Sequence, residues 1–339
     1  MTRRKKPTIS DVAHEAGVAR STVSKVVNGT QKLLPETEKK VWEAVSRLGY
    51  QASLHAQILS TGKTRALGIV ILDILNPHFT ALVKGASQVA AGHGYAVLLV
   101  DAQESAQREG ELIETLRART DGLILAGSRL SDEELGGLHD PERPIVTVGR
   151  PTAGLPGVNV AEETAALQLT GHLIAQGYRR ICYLAGPPFW VDAQRERGYR
   201  AALMRAGLDA QVVRVTSPDV PGGEQASAQL HQGREMPDAV VCYNDLIAIG
   251  LMTALGAQGL RVPEDIGVAA FGNHPLAPHL SPPLTLMEIP SQGLGEDAAR
   301  LLLDLIDRPQ ASPAPQRFGV LRVRQSTRPG ALVLSRPSQ

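Results

Sequence analysis

At 339 residues, with 43% hydrophobic and 20% charged side chains, the chain has the length for two or three domains and the make-up of a soluble globular protein. Its net charge of +1 is unevenly spread: residues 1–65 carry twelve Lys/Arg against five Asp/Glu, or +7, and residues 66–339 carry 23 against 29, or −6. A basic first fifth on an acidic body points to nucleic acid at one end only. No apolar run follows the Arg3–Lys6 cluster, no window nears the roughly eighteen apolar residues of a membrane helix, and Cys182 and Cys242 have no metal-ligand spacing, so a cytoplasmic protein with neither signal, membrane span, metal nor cofactor is expected.

Arg3 to Lys6 form a like-charge tail able to add salt-sensitive phosphate contacts. From Thr8, apolar Ile9, Val12, Ala13 and Ala16 share one helical face, Gly17 ends that helix, and Val18, Val23, Val26 and Val27 make a second stripe. Two short helices around a glycine turn predict a helix-turn-helix unit. Between its valines the second helix offers Arg20, Ser21, Thr22, Ser24, Lys25 and Asn28, all able to bond phosphates or base edges. A third helix is expected from near Glu36, with Val41, Trp42, Val45 and Leu48 closing a three-helix core. Residues 51–64, QASLHAQILSTGKT, read as a linker with helical capacity.

From Ala66 the texture changes to apolar strands alternating with amphipathic helices. Strand-like runs fall at 66–72, 95–101, 122–126, 144–148, 180–185, 239–243 and 266–271, with helical patterns at 77–92, 107–118, 162–176, 193–206, 245–257 and 291–307. This alternation predicts parallel sheets with helices on both faces. A weak internal echo, Gly94-Tyr95 against Gly177-Tyr178 before a strand, suggests two similar lobes and a cleft between them.

The stretch TISDVAHEAGVARSTVSKVVN, with Trp42 and Leu48-Gly49-Tyr50, resembles the headpiece of the LacI/GalR family of bacterial transcription regulators; the family's Ser, Arg and Leu are here Ala19, Lys25 and Val27. The body resembles the family too, in the fold of periplasmic sugar-binding proteins. Its N-P-x-F is Asn76-Pro77-His78-Phe79, its G-H-R-R-I begins at Gly177, its R-x-x-G-[FY] runs from Arg195 to Tyr199, its N-D is Asn244-Asp245 and its P-x-L-T begins at Pro282. The resemblance implies an all-α helix-turn-helix headpiece (1–50), a hinge helix and linker (51–65), and a two-lobed α/β periplasmic-binding-protein-like domain (66–339). One lobe would take about 66–161 and 291–321, the other about 162–288 and 322–339.

Carried onto this sequence, the resemblance implies that Arg20, Ser21 and Lys25 read bases and that Thr8, Ser10, Thr22, Ser24 and Asn28 hold phosphates. It makes Ala56 and Leu59 the hinge residues, with Leu59 an apolar wedge for a minor-groove base step. So short a helix is expected to order only on DNA, paired with its twin in a homodimer on a palindromic operator.

Ligands of open α/β sheets sit beyond the carboxyl ends of the strands, which nominates Asp73, Phe79, Asp101, Ser128, Arg195, Asn244, Asp245, Phe271, Asn273 and His274. By resemblance Arg195 grips the effector; the alternative is a lobe-to-lobe ion pair. Phe79 is core or a sugar-facing wall, and Asp245 a helix cap, a ligand contact or both. Where the family reads G-[FY]-D-D the chain has Ala270-Phe271-Gly272-Asn273, and where it reads V-D-N the chain has Val160-Ala161-Glu162. Two carboxylates lost around a retained arginine lead to the expectation of an anionic effector, a sugar acid such as gluconate before a sugar phosphate.

A secreted solute-binding protein would share the two-lobed body but not the headpiece. A nucleotide-dependent sugar enzyme would need a glycine-rich phosphate loop, whereas the first strand runs into Asp73-Ile-Leu-Asn-Pro77, and the nine histidines are scattered rather than set in a catalytic constellation. An effector-gated repressor of a carbohydrate operon accounts for every segment; a regulator of the same fold without small-molecule control is the alternative.

Overall fold

The computed structural model describes residues 7–28, 31–50, 62–230, 235–308 and 316–328. The chain divides into two compact units, Met1–Arg65 and Ala66–Gln339. The expected hinge residues Ala56 and Leu59, and the side chain of Asn28, lie outside the described residues.

In the first unit, α1 spans Ile9–Ala16, α2 Arg20–Asn28 and α3 Pro35–Leu48. A capping box opens α1: the Thr8 backbone N–H donates to Asp11 Oδ2 at 2.7 Å, while Thr8 Oγ1 accepts from the Asp11 N–H at 3.4 Å. Gly17, at φ 65°, closes it in the left-handed conformation that a glycine adopts without strain. Val12, Ala13, Val23, Val26, Val41 and Ala44 form the small core. Trp42, expected in that core, is 50% exposed. The buried stripe of α3 runs Val41, Ala44, Val45, Leu48, and one residue's 100° turn carries Trp42 off it.

The second unit begins with β1 (Ala66–Ile71), α4 (Pro77–Gly92), β2 (Ala96–Asp101), α5 (Ala106–Arg117), β3 (Gly122–Ala126), α6 (Asp132–Gly136), β4 (Ile145–Val148) and β5 (Gly157–Val158). It continues with α7 (Glu162–Ala175), β6 (Ile181–Ala185), α8 (Trp190–Arg205), β7 (Gln211–Arg214), α9 (Val220–Leu230), β8 (Ala239–Cys242), α10 (Asp245–Ala257), β9 (Gly267–Gly272), β10 (Thr285–Glu288), α11 (Ser291–Asp307) and β11 (Val320–Arg322). The first sheet is parallel in the order β2-β1-β3-β4-β5; the second runs β11-β10-β9-β8-β6-β7, parallel except for the antiparallel β10–β11 pair. Continuous burial along β1, β3, β4, β6 and β8 is what helices on both faces require of a strand.

β5, β7, β10, β11, α6 and α9 were not anticipated; β7 and β11 are short edge strands with no buried residue. The chain passes between lobes more than once. α11 follows β10 of the second sheet yet packs on α4, β3 and β4 of the first, after which β11 rejoins the second. α4 and α11 approach closely enough that a Cβ on Gly295 would lie 1.9 Å from the Leu82 carbonyl oxygen. Two of the crossings run side by side: the Ala161 N–H donates to Arg317 O and the Arg317 N–H to Asn159 O. Cys182 and Cys242 are buried free thiols, and burial pushes the Cys182 thiol up to about 12, which leaves it unreactive.

Candidate functional site

The helix-turn-helix unit turns Arg20, Ser21 and Lys25 outward, with Thr22 and Ser24 half-buried beside the valine stripe. Arg20 with Ser24, and Ser21 with Lys25, are four residues apart, so each pair shares a helical face. Ser10 is exposed on α1. Thr8 is already committed: its hydroxyl donates to Asp11 Oδ2 at 2.7 Å, spending on the cap the proton that a phosphate contact would need. Ala19 precedes α2, so this helix starts without the side-chain oxygen a serine would supply to its first amides.

In the second unit, side chains from both lobes line a cavity of about 90 Å³. Strand β1 leads through a turn into Asn76, whose Oδ1 accepts from the His78 N–H at 3.0 Å and starts α4. This brings His78 and Phe79 to the cavity wall. His78 Nδ1 lies 2.7 Å from Ser291 Oγ, and because that hydroxyl donates to the Ile289 carbonyl, its oxygen accepts from Nδ1–H. Burial, with the neighbouring Arg195 charge, lowers the His78 pKa to about 4, so the imidazole is neutral. Phe79, 7% exposed, is both core and cleft wall.

Across the cleft, Arg195 and Glu162 face each other from α8 and α7. These helices touch at Gly198, where a Cβ would lie 2.2 Å from the Glu163 carbonyl oxygen, and the close approach sets Arg195 beside Glu162. Arg195 Nε donates to Glu162 Oε2 at 2.8 Å and Nη1 to the Tyr243 carbonyl at 2.5 Å. Its guanidinium carbon lies 4.4 Å from the Phe271 ring centre and 5.0 Å from that of Tyr243. Arg195 is thus ion-paired, but to the adjacent helix of its own lobe rather than across the cleft.

Asn244 caps α10, accepting from the Ile247 N–H at 2.8 Å and donating to the Pro218 carbonyl at 2.7 Å. The cap is therefore Asn244 and not Asp245. Asp245 Oδ2 accepts from the His274 N–H at 2.9 Å, and its carboxyl is held above the usual range by burial. A Cβ on Gly272 would lie 2.0 Å from that oxygen, so the Asp245 carboxylate fills the space an aspartate at 272 would need.

Phe79, Arg195, Asn244, Asp245 and Phe271 thus come together at the cleft, while Asp73 and Asn273 do not line it. Asp73 Oδ1 turns back to accept from the Leu75 N–H at 2.8 Å, and Asn273 is exposed. Asp101 Oδ1 likewise accepts locally, from the Gln103 N–H at 2.9 Å. Ser128 lies buried, its oxygen accepting from the Leu130 N–H at 3.2 Å.

Sequence reasoning passed over Glu104, Arg129 and Phe189. Arg129 pairs with Glu104 at 2.6 Å and stacks 4.2 Å over the Phe189 ring of the other lobe. Glu104 and Gln103 stand at φ 58° and 52°, a strained backbone for non-glycine residues that no side-chain pattern announces. Arg129 lies one residue beyond the nominated Ser128, so a wider window past the end of β3 would have found it. Glu162 was registered only as a departure from the family pattern. It supplies a carboxylate that the expectation of an anionic ligand had counted as lost.

Residues 8–53 match the family described as bacterial regulatory proteins, lacI family, and residues 170–327 match the periplasmic binding protein-like domain. The chain belongs to the LacI family: it is a transcription regulator with a helix-turn-helix domain and a periplasmic-binding-protein-like domain. It is 34% identical to the HTH-type transcriptional regulator GalS of Salmonella typhimurium, over 87% of this chain and 89% of that protein. It is 33% identical to the HTH-type transcriptional repressor CytR of Escherichia coli, over 88% and 89%. Among solved structures it resembles the lac repressor dimer bound to operator and the anti-inducer ONPF, with a TM-score of 0.85 and 25% identity over 95% of this chain and 99% of that one. These relatives are regulators, not enzymes. Among the described residues no helix is long and apolar enough to cross a membrane, and no cluster of His, Cys, Asp and Glu is suited to a metal ion.

Proposed function

We propose that the protein is a cytoplasmic, homodimeric repressor of a carbohydrate-utilisation operon, whose interlobe cleft takes a small polyhydroxylated effector that alters operator affinity. The observation carrying this reading is the cleft itself: hydrogen-bonding groups and the rings of Phe79, Tyr243 and Phe271 converge from both lobes, in a chain that also bears an exposed polar helix-turn-helix face. Arg20, Ser21 and Lys25 read bases in successive major grooves of a palindrome, while Ser10, Thr22, Ser24 and Asn28 hold phosphates. Ala56 and Leu59 act between the half-sites, with Leu59 as the wedge. A ligand that bridges the lobes favours one arrangement of them, and two bodies paired in a dimer transmit that arrangement to the hinges.

A sugar acid such as gluconate stands as the second ligand class. It is favoured by Arg195 Nη2, which among the described residues donates to no protein group, and disfavoured by the pairing of that guanidinium with Glu162. Selection of genomic fragments by the purified protein, followed by footprinting, tests the DNA assignment. The expected result is a two-fold symmetric protected site that is lost in Arg20→Ala; binding that ignores sequence contradicts it.

A further inference from the structure

Both guanidinium groups in the cleft are neutralised within the protein. Glu162 Oε2 lies 2.8 Å from Arg195 Nε, with side chains only 4% and 9% exposed, and Glu104 Oε2 lies 2.6 Å from Arg129 Nη2. The remaining ionisable groups on the wall are His78, which is neutral, the Tyr243 phenol, which burial keeps protonated, and the buried carboxyl of Asp245. A ligand carboxylate entering here meets no unpaired cation and is surrounded by Glu104, Glu162 and Asp245.

Arg195 is also held from several sides. Besides Glu162 it is tied to the Tyr243 carbonyl, and it lies against the rings of Phe271 and Tyr243. What the pair leaves open is the Nη2 amino group of Arg195, a donor, and Oε1 of Glu162, an acceptor. Arg195 Nη2 and Glu162 Oε1 have no bond to the described residues, and neither is a sealed, unpartnered atom. A hydroxyl serves both, because it accepts from the guanidinium and donates to the carboxylate; an ionised carboxylate only accepts and is repelled by Glu162.

We infer that Glu162 is the charge-selecting residue of the cleft: paired with Arg195, it admits an uncharged polyol ring and rejects the corresponding carboxylate. The inference rests on the reading of the cleft as the effector site. It also reassigns the departure from the family pattern at 162, since the glutamate supplies a carboxylate facing Arg195 rather than removing one.

Matched pairs of probes test it on the full-length protein by calorimetric titration: glucose and gluconate, galactose and galactonate, ribose and ribonate, xylose and xylonate. In the wild type the aldose of a bound pair is expected to bind at least about tenfold more tightly than its aldonate, the worth of one charge-assisted hydrogen bond. Glu162→Gln, which keeps the shape and frees the Arg195 charge, is expected to invert that order by about tenfold or more. Glu162→Asp retains the wild-type order, and Glu162→Gln combined with Arg195→Gln loses the gain for aldonates. A wild type that prefers the aldonate overturns the inference, as does an unchanged ratio in Glu162→Gln. Should the unpaired guanidinium keep Glu162→Gln from folding, the wild-type and Glu162→Asp titrations decide by themselves. Failure of every probe with wild type and variants alike overturns the effector-site reading itself, and the charge selection with it.

Discussion

The guanidinium of Arg129 lies 4.2 Å over the ring of Phe189, joining the loop after β3 in one lobe to the start of α8 in the other. Glu104 holds that guanidinium from below at 2.6 Å, and the Arg129 N–H donates to the buried Glu109 carboxylate at 2.8 Å. Burial raises the Glu109 pKa, and the same burial makes its hydrogen bond to the Arg129 backbone costly to break. A desolvated cation–π contact contributes about 1–2 kcal/mol to holding the lobes in this arrangement. Phe189→Ala is expected to weaken effector binding about five- to thirtyfold, measured by calorimetric titration, with the ligand-free protein still folded. Unchanged affinity would mean that the contact has no part in effector binding.

His78 makes stability pH-dependent in a defined direction. Its pKa is about 4 in the folded protein against an ordinary 6.5, so between those values the unfolded chain takes up a proton that the native protein refuses. The contribution to stability is intact above about pH 6.5 and falls as pH drops toward 4, by at most roughly 3 kcal/mol. His78→Asn keeps a donor toward Ser291 and removes the titration. Urea unfolding from pH 7 to 4 is expected to show a larger loss for the wild type than for the variant, and equal losses contradict the assignment.

The contact of α4 with α11 tests the packing that holds the first lobe. Gly295→Ala forces a methyl to within 1.9 Å of the Leu82 carbonyl oxygen and is expected to cost about 1–3 kcal/mol or more in urea unfolding. Gly92→Ala, at the end of α4 where a Cβ meets nothing within 4 Å, serves as the control and should change stability by less than about 1 kcal/mol.

Much of the fold was legible because its boundaries are written in local chemistry. Gly17 ends α1 where the pattern places it, and the helical patterns at 77–92 and 245–257 begin beside the caps Asn76 and Asn244. The central strands are short apolar runs that only a doubly covered sheet requires. β7 and β11 escaped because an edge strand needs no apolar run, and β11 acquires its identity from a pairing with β10 more than thirty residues earlier. Trp42 misled because a large apolar side chain was counted into a stripe that its angular position excludes. In the cleft, the residues carrying helix starts and core walls were found. Glu104, Arg129 and the Glu162–Arg195 pair were not, because each takes its role from a partner 25 or 33 residues away.

Restoring a cap to α2 tests the headpiece. Ala19→Ser supplies an oxygen for the first free amides of the recognition helix and is expected to stabilise it by about 0.5–1 kcal/mol. Hydrogen exchange of the Ser21 amide should slow about two- to fivefold, with the Thr22 and Val23 amides, which already donate to the Ala19 carbonyl, as references. Unchanged exchange at Ser21 would mean that the added hydroxyl makes no cap.

The central claim, that the cleft and the helix-turn-helix face form one linked switch, is tested most directly by paired titrations on the full-length protein. Operator affinity is measured with and without saturating effector, and effector affinity with and without saturating operator. Linkage requires both to change by the same factor, expected to be at least about fivefold. An effector that binds in the cleft and leaves operator affinity unchanged would contradict the account.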